Sequence, residues 1–404
     1  MIPGWQTKPL GELCSIELGK TPSRSNSALW DAKRETGNVW LSIADLLQAE
    51  DNMVMDSKEY VSDKGAAICK PVPKGTLLVS FKLTLGRLAF AGRDLFTNEA
   101  IAALTPFDEK ELSKDFLFYF LHYFDWVKAA ENDVKLKGMT LNKAKLSAIS
   151  VRFPSAEKQK RIVVSLDVAF EAIASAAANA SKNLTRAGAL IASQRDRIFR
   201  DRGAAWAEKR ETLFELCDLI VDCEHKTAPT QAEGIPSIRT PNIGNGELLL
   251  DNVYRVSEAT YRGWTRRAVP MEGDLILARE APAGNVAVIP RGLRVCLGQR
   301  TVLIRPRRDV FEPQFLAMLL LQPDMQRKLL GHSRGATVQH VNMKDIRALR
   351  IGAVPSLEVQ RSIVARVKAA SDQNKQLASV YTRKLDALEA LKRSLLHHAF
   401  TGQL

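Results

Sequence analysis

The string Glu224-His225-Lys226, preceded by Asp218 and Asp222, is the nearest this sequence comes to a catalytic constellation. A carboxylate two residues before a lysine is a form some nucleases use on phosphodiesters. Strings this short arise by chance in most chains of such length, so it carries little weight by itself. Gly19-Lys20-Thr21 has the ending of a phosphate-cradling loop. The full G-x-x-x-x-G-K-[ST] pattern fails, because Cys14 stands where its first glycine belongs and Pro22 follows at once. No glycine-rich nucleotide fingerprint follows a strand-like run, and there is no G-x-S-x-G elbow. His397-His398 has no further ligand candidates beside it, and no two of the five cysteines have C-x-x-C spacing. Neither a metal nor a cofactor is expected, and the chain reads as a binding protein rather than an enzyme.

What remains is basic, donor-rich loop chemistry that recurs at corresponding places in two halves. In the first half, Lys20, Thr21, Ser23 and Arg24 lie in one polar run, Ser42 follows an apolar run, and Lys82 and Arg87 flank a turn at Gly86. Lys137, Thr140 and Asn142 precede a helix-start pattern. The second half offers Lys226 and Thr227, Arg239 and Asn242, then Arg279, Gln299 and Arg300. Arg334, Thr337, Gln339, His340 and Asn342 complete it. Lysine, arginine and backbone amides at helix starts suit phosphates, whereas Arg, Asn and Gln can read base edges.

The elements that must carry these loops come in duplicate. Val39-Trp40-Leu41-Ser42-Ile43 and Thr76-Leu77-Leu78-Val79-Ser80-Phe81 read as strands, and Ile101-Ala102-Ala103-Leu104 as one that stops at Thr105-Pro106. Phe116 to Lys128 reads as a helix. Leu213-Phe214-Glu215-Leu216-Cys217 echoes Leu10-Gly11-Glu12-Leu13-Cys14, and Glu272-Gly273-Asp274-Leu275 takes the place of Lys74-Gly75-Thr76-Leu77. Phe315 to Leu330 mirrors the Phe116 helix. The two globular segments are expected to share one fold with divergent loops.

Each segment is followed by a copy of one helical stretch. Pro154-Ser155-Ala156-Glu157-Lys158-Gln159 returns as Pro355-Ser356-Leu357-Glu358-Val359-Gln360, and the register holds to Phe199 and Phe400. Ile162, Leu166, Ala169, Ile173, Ala176, Ala180, Leu184, Ala187 and Ile191 form a stripe spaced by threes and fours. Ile363, Val367, Ala370, Asn374, Leu377, Tyr381, Leu385 and Leu388 form its counterpart. Helices of about 40 residues extend about 60 Å and cannot bury such a stripe alone. They are expected to pair as an antiparallel coiled coil, with small alanines allowing close approach and Asn374 fixing register at some cost in stability.

Composition agrees with this organisation. The 404 residues suffice for two cores, and 46% apolar with 25% charged residues is ordinary for a globular protein. Lys and Arg total 58 against 45 Asp and Glu, a formal charge of +13 that favours a polyanionic partner. The five cysteines read as reduced, mostly buried thiols. Met1-Ile2-Pro3-Gly4-Trp5 has no signal-peptide pattern, and no stretch approaches the roughly 20 apolar residues of a membrane span. A cytoplasmic location without a membrane is expected.

Taken together, the chain resembles the DNA specificity subunit of type I restriction-modification systems. The carriers are Leu18-Gly19-Lys20-Thr21-Pro22, Val39-Trp40-Leu41-Ser42-Ile43 and Asn98-Glu99-Ala100-Ile101, with the paired helix starts at Pro154 and Pro355. Asp222-Cys223-Glu224-His225-Lys226-Thr227, Gly273-Asp274 and Gly298-Gln299-Arg300 look like a second target-recognition class, and Ala399-Phe400-Thr401-Gly402-Gln403-Leu404 is a typical ending. The resemblance implies an α+β fold with an internal pseudo-two-fold repeat. Target-recognition domains would span 1–153 and 207–354, with helical regions at 154–206 and 355–404 separating them as a ruler. It implies that each domain reads half of a split, asymmetric site in double-stranded DNA. It also implies two copies of an adenine-N6 methyltransferase subunit and motor-nuclease restriction subunits as partners, these supplying the chemistry. The first helix departs from the pattern in being unusually alanine-rich. Readings from other classes are a self-contained nuclease using Glu224 and Lys226, and a helical scaffold that binds only protein.

Overall fold

The structure, a computed structural model, describes residues 3–130, 134–135, 138–200, 206–331 and 340–404. The chain forms two compact units, Met1–Ser181 with Thr382–Leu404, and Lys182–Tyr381.

In the first unit, Cys14–Leu18, Ile101–Pro106, Leu77–Ser80, Leu88–Ala91 and Met53–Val54 form a sheet in that order. All four residues of Leu77–Ser80 are buried, so both faces of the sheet are covered. Leu77 and Val79 pack with helix Lys114–Tyr123, and Leu78 packs on the opposite side with Val39 and Leu41. A smaller sheet, Glu59–Tyr60, Val39–Leu41 and Phe96–Thr97, is antiparallel on one side and parallel on the other. Gln6–Pro9 pairs with Ser150–Phe153 and closes the globular part.

The second unit repeats this plan. Its main sheet runs Cys217–Asp222, Thr301–Pro306, Leu275–Ala278, Val286–Val288, and its smaller sheet Arg255–Val256, Ile235–Ile238, Cys296–Leu297. The same antiparallel and parallel pairings recur, and Ala207–Thr212 pairs with Arg350–Val354. The sequence echo between the segments is thus one strand order built twice, the first unit's main sheet carrying Met53–Val54 as an added edge strand.

Helix lengths differ from expectation. The Phe116 helix ends at Tyr123, and a separate turn, Trp126–Ala129, starts at Asp125, whose carboxylate accepts from Lys128 N at 2.9 Å. The Phe315 helix divides into Pro313–Leu320 and Pro323–Leu330, because Pro323 has no N–H to continue the first. The strand at Ile101 runs on through Pro106, which sits at its edge opposite Cys14.

The long helices are Ala156–Arg200 and Leu357–Phe400, and each contributes to both units. In the first unit, Ile162 and Leu166 join one core with Leu396, Ala399 and Phe400, and Lys392 lies over the ring of Phe170. In the second, Phe199 shares a core with Ile363 and Val367, while Asn374 donates its amide to the carbonyl of Ala187. Within each unit the helices therefore run antiparallel. Asn374 is 8% exposed, as a register-fixing seam residue requires, but Leu377 is 43% exposed and leaves the stripe. Ile191 lies outside the residues whose side chains are described.

One sequence expectation fails here. By length and composition, Ala156–Leu190 is apolar enough to cross a membrane. Its alanines raise hydropathy, while only one face, including Ile162, Leu166, Ile173 and Ala180, is buried in the fold.

Candidate nucleic-acid interface

In the first unit, the run after Cys14–Leu18 is pressed onto the small sheet. A Cβ on Gly19 would stand 2.2 Å from the carbonyls of Thr97 and Asn98, so only glycine fits. The carbonyl of Lys20 accepts from Trp40 Nε1 at 3.0 Å, and its exposed ammonium has no partner among the described residues. Thr21 donates its hydroxyl to Glu99, and Ser23 Oγ lies 2.9 Å from Ser25 Oγ. Arg24 stacks at 4.0 Å from the centroid of Trp30 and 4.8 Å from that of Trp40, and its guanidinium is bound by both oxygens of Glu59. Arg24 is therefore a packing residue first.

Ser42 is engaged too, since its N and Oγ both donate to Asp45 Oδ2 at 2.7 Å. Lys82 holds its ammonium 5.2 Å from the centroid of Phe81. Beyond it the chain turns through Leu83 (φ 66°) and Gly86 (φ 74°), where a Cβ would meet the Trp126 ring at 2.4 Å. Arg87 N donates to Ser80 Oγ at 3.0 Å, which leaves its half-buried guanidinium without a partner among the described residues. Asn142 caps Lys143–Ser147 by accepting from Lys145 N at 2.8 Å. Thr140 pairs by backbone with Lys82; its side chain, like Lys137, lies outside the described residues.

In the second unit, the sequence candidates converge more closely. Arg279, Gln299, Arg300 and His340 line one surface recess of about 200 Å³ with His225 and Glu280. Arg279, 12% exposed, donates Nη1 to Asp222 Oδ2 at 2.6 Å and Nε to Val341 O at 2.9 Å, and its Nη2 is 3.0 Å from His340 Nε2. Glu280 holds His340 Nδ1 at 3.0 Å through one oxygen and Arg300 Nε at 2.9 Å through the other. Gln299 Nε2 donates to His225 O at 3.3 Å. Lys226 and Thr227 are exposed, without side-chain partners among the described residues.

One candidate turns inward. Asn242 is 6% exposed and closes a turn, accepting from Arg239 N at 3.2 Å and donating to Leu249 O at 3.2 Å, which removes it from the surface. Arg239 stacks 4.0 Å from the centroid of Tyr254. Asn342 donates to Asp345 Oδ2 at 3.3 Å at a helix start. Arg334, Thr337 and Gln339 lie outside the described residues.

The nuclease-like string is taken apart by its partners: Asp222 is bound by Arg279, and Glu224 pairs with Arg267 at 3.6 Å. Asp222, Cys223 and His225 do offer three donor atoms within 4.8 Å of one another. The Arg279 cation beside Asp222 opposes a second cation there, and burial raises the Cys223 thiol pKa, favouring its protonated form. Sequence reasoning missed Glu280, which joins His340 to Arg300. No local pattern marks a residue whose partners lie so far along the chain.

The family model described as "Type I restriction modification DNA specificity domain" matches residues 3–183 and again 213–380. The Escherichia coli "Type I restriction enzyme EcoBI specificity subunit" is 26% identical over 43% of this chain and 36% of its own length. The Methanocaldococcus jannaschii "Type I restriction enzyme MjaIX specificity subunit" is 24% identical over 40% of this chain and 37% of its own length. The chain thus spans little more than a third of these curated relatives. Among solved structures, one chain of a type I R-M system aligns over 100% of both chains with TM-score 0.74 and 19% identity. The HsdS subunit from Thermoanaerobacter tengcongensis aligns over 100% of this chain and 98% of its own, with TM-score 0.57 and 18% identity. These two likenesses concern the fold.

Proposed function

Because this chain belongs to the type I restriction-modification DNA specificity family, we propose that it is the recognition subunit of such a system. Each unit reads one half of a bipartite, asymmetric DNA site. Two adenine-N6 methyltransferase subunits and motor-nuclease subunits bind the chain and supply catalysis, so the chain itself is non-catalytic. Such a complex works on chromosomal DNA in the cytoplasm. Lys20, Arg87 and Lys226 contact phosphates, while the recess around Arg300 discriminates bases.

The observation that carries this reading is the repeated sheet topology with unlike side chains at matching surface positions. Glu99 and Lys82 of the first unit stand where Gln299 and Glu280 stand in the second. A shared scaffold with unlike surfaces suits two different half-sites.

Methylome sequencing of cells with and without the chain tests it. Adenine methylation at one split motif is expected to vanish on deletion and return on complementation. Exchanging residues 207–354 for those of a relative is expected to change one half of the motif only, and inserting whole turns into both helices to change the unread spacer. An unchanged methylome on deletion would sink the reading.

A further inference from the structure

The second unit contains a chain of polar contacts that has no counterpart among the described side chains of the first. Strand register and matching backbone hydrogen bonds make the equivalence explicit. Leu18 pairs with Ala102 as Asp222 pairs with Val302. Phe81 N donates to Ala100 O as Arg279 N donates to Arg300 O, and Leu141 N donates to Phe81 O as Val341 N donates to Arg279 O. The second unit thus has Asp222, Arg279, Glu280 and Arg300 where the first has Leu18, Phe81, Lys82 and Ala100. The fold does not need these charges, since the same topology forms without them.

The chain has a direction. Asp222 and Val341 fix Arg279, which is nearly buried and has each of its three nitrogens engaged by a protein group. His340 bridges Arg279 to Glu280, and Glu280 reaches Arg300. At Arg300 the chain meets solvent. Its side chain is 63% exposed, its Nε lies 2.9 Å from a Glu280 carboxylate oxygen as an ion pair, and neither terminal amino group bonds to any described residue. Its backbone is in the left-handed region (φ 64°), unusual for arginine. A guanidinium ion-paired along its Nε edge keeps both terminal amino groups available as two parallel donors. That fork matches two adjacent acceptors, which the major-groove edge of guanine (O6 and N7) offers.

Building on the recognition reading above, the geometry points to Arg300 as the residue through which the second unit reads a guanine, with Glu280 as its positioning residue. Arg279 anchors the arrangement and does not touch DNA.

The test uses the full chain expressed with its own methyltransferase partners, read by methylome sequencing. Arg300→Gly removes the side chain and suits the positive φ, so folding is preserved. Its expected effect is loss of a required G at one position of one half-site, with discrimination there falling about tenfold or more. Arg300→Lys keeps the charge but not the fork, and is expected not to restore that position. Glu280→Gln is expected to broaden preference at the same position alone. An unchanged motif with uniformly slower methylation in Arg300→Gly would make Arg300 a phosphate contact and overturn the inference. Loss of specificity in both halves would overturn it too. Failure of the recognition reading looks different, because the unaltered chain would then direct no motif at all.

Discussion

Gln159 and Gln360 form the same buried clamp at the start of each long helix. Gln159 donates Nε2 to Glu111 O (2.7 Å) and Pro154 O (2.9 Å) and accepts from Ser113 N at 2.9 Å. Gln360 donates to Val310 O (2.8 Å) and Pro355 O (2.9 Å) and accepts from Glu312 N at 2.8 Å. Both are 0% exposed. Each fixes the direction in which a long helix leaves its globular part.

Replacing either glutamine by leucine leaves an N–H and two carbonyls without these partners. Each variant is expected to lose about 2–4 kcal/mol of stability. Hydrogen exchange should rise near 111–113 in Gln159→Leu and near 310–312 in Gln360→Leu. Equal protection in variant and parent would show the clamp to be dispensable.

Phe400 packs against Phe116 (5.3 Å between centroids), Phe120 (5.7 Å) and Tyr123 (5.3 Å), all far earlier in the chain. Phe199 does the same with Phe315 at 5.4 Å. Phe400→Ala is expected to cost about 3–5 kcal/mol, felt in the first globular part. Urea unfolding followed by probes within 3–153 checks this, and a transition that moves only in the second unit would contradict it.

Asn374 donates to the Ala187 carbonyl from a buried seam position. Asn374→Leu is expected to leave stability unchanged or raise it by about 1 kcal/mol, while loosening register. Spin labels on the two helices within the second unit should report a broader distance distribution. A stability loss beyond about 2 kcal/mol would make the bond a structural requirement instead.

Lys20 and Arg24 lie in one basic run yet have different roles. Lys20→Ala is expected to weaken DNA binding alike for all sequences and to lower the salt slope by about one. Arg24→Ala removes stacking on Trp30 and Trp40 and is expected to cost about 1 kcal/mol of stability. Binding titrations at several salt concentrations, with thermal melts, separate the two; a shared phenotype would refute the distinction.

The five cysteines are free and buried. Burial pushes the Cys14 and Cys217 thiols up to about 12 and Cys296 up to about 11, from an ordinary 9.0. A raised folded-state value means stability is intact below pH 9 and falls as pH rises from 9 toward 12, because the unfolded thiols ionise first. Native protein at pH 8 is expected to resist alkylation that the denatured chain undergoes. Rapid native labelling of all five thiols would show the burial to be wrong.

The sequence by itself determined the duplication, the long helices and the core strands. Those follow from periodicity and turn chemistry, which act between near neighbours. Val39, Leu77 and Ile101 begin strands where apolar runs meet turn formers, and Asn374 stood out as a polar break in an apolar stripe. The same local view misjudged Leu377, the helix break at Pro323 and the apolar length of Ala156–Leu190. Only the tertiary structure decided which polar residues face solvent. Arg24, Asn242, Arg279 and Arg300 look alike in a basic loop inventory. Packing binds Arg24 to Glu59, buries Asn242 in a turn and ties Arg279 to Asp222, while Arg300 keeps its terminal donors outward. A side chain's freedom depends on partners brought close by strand register, and composition and spacing do not encode that register locally.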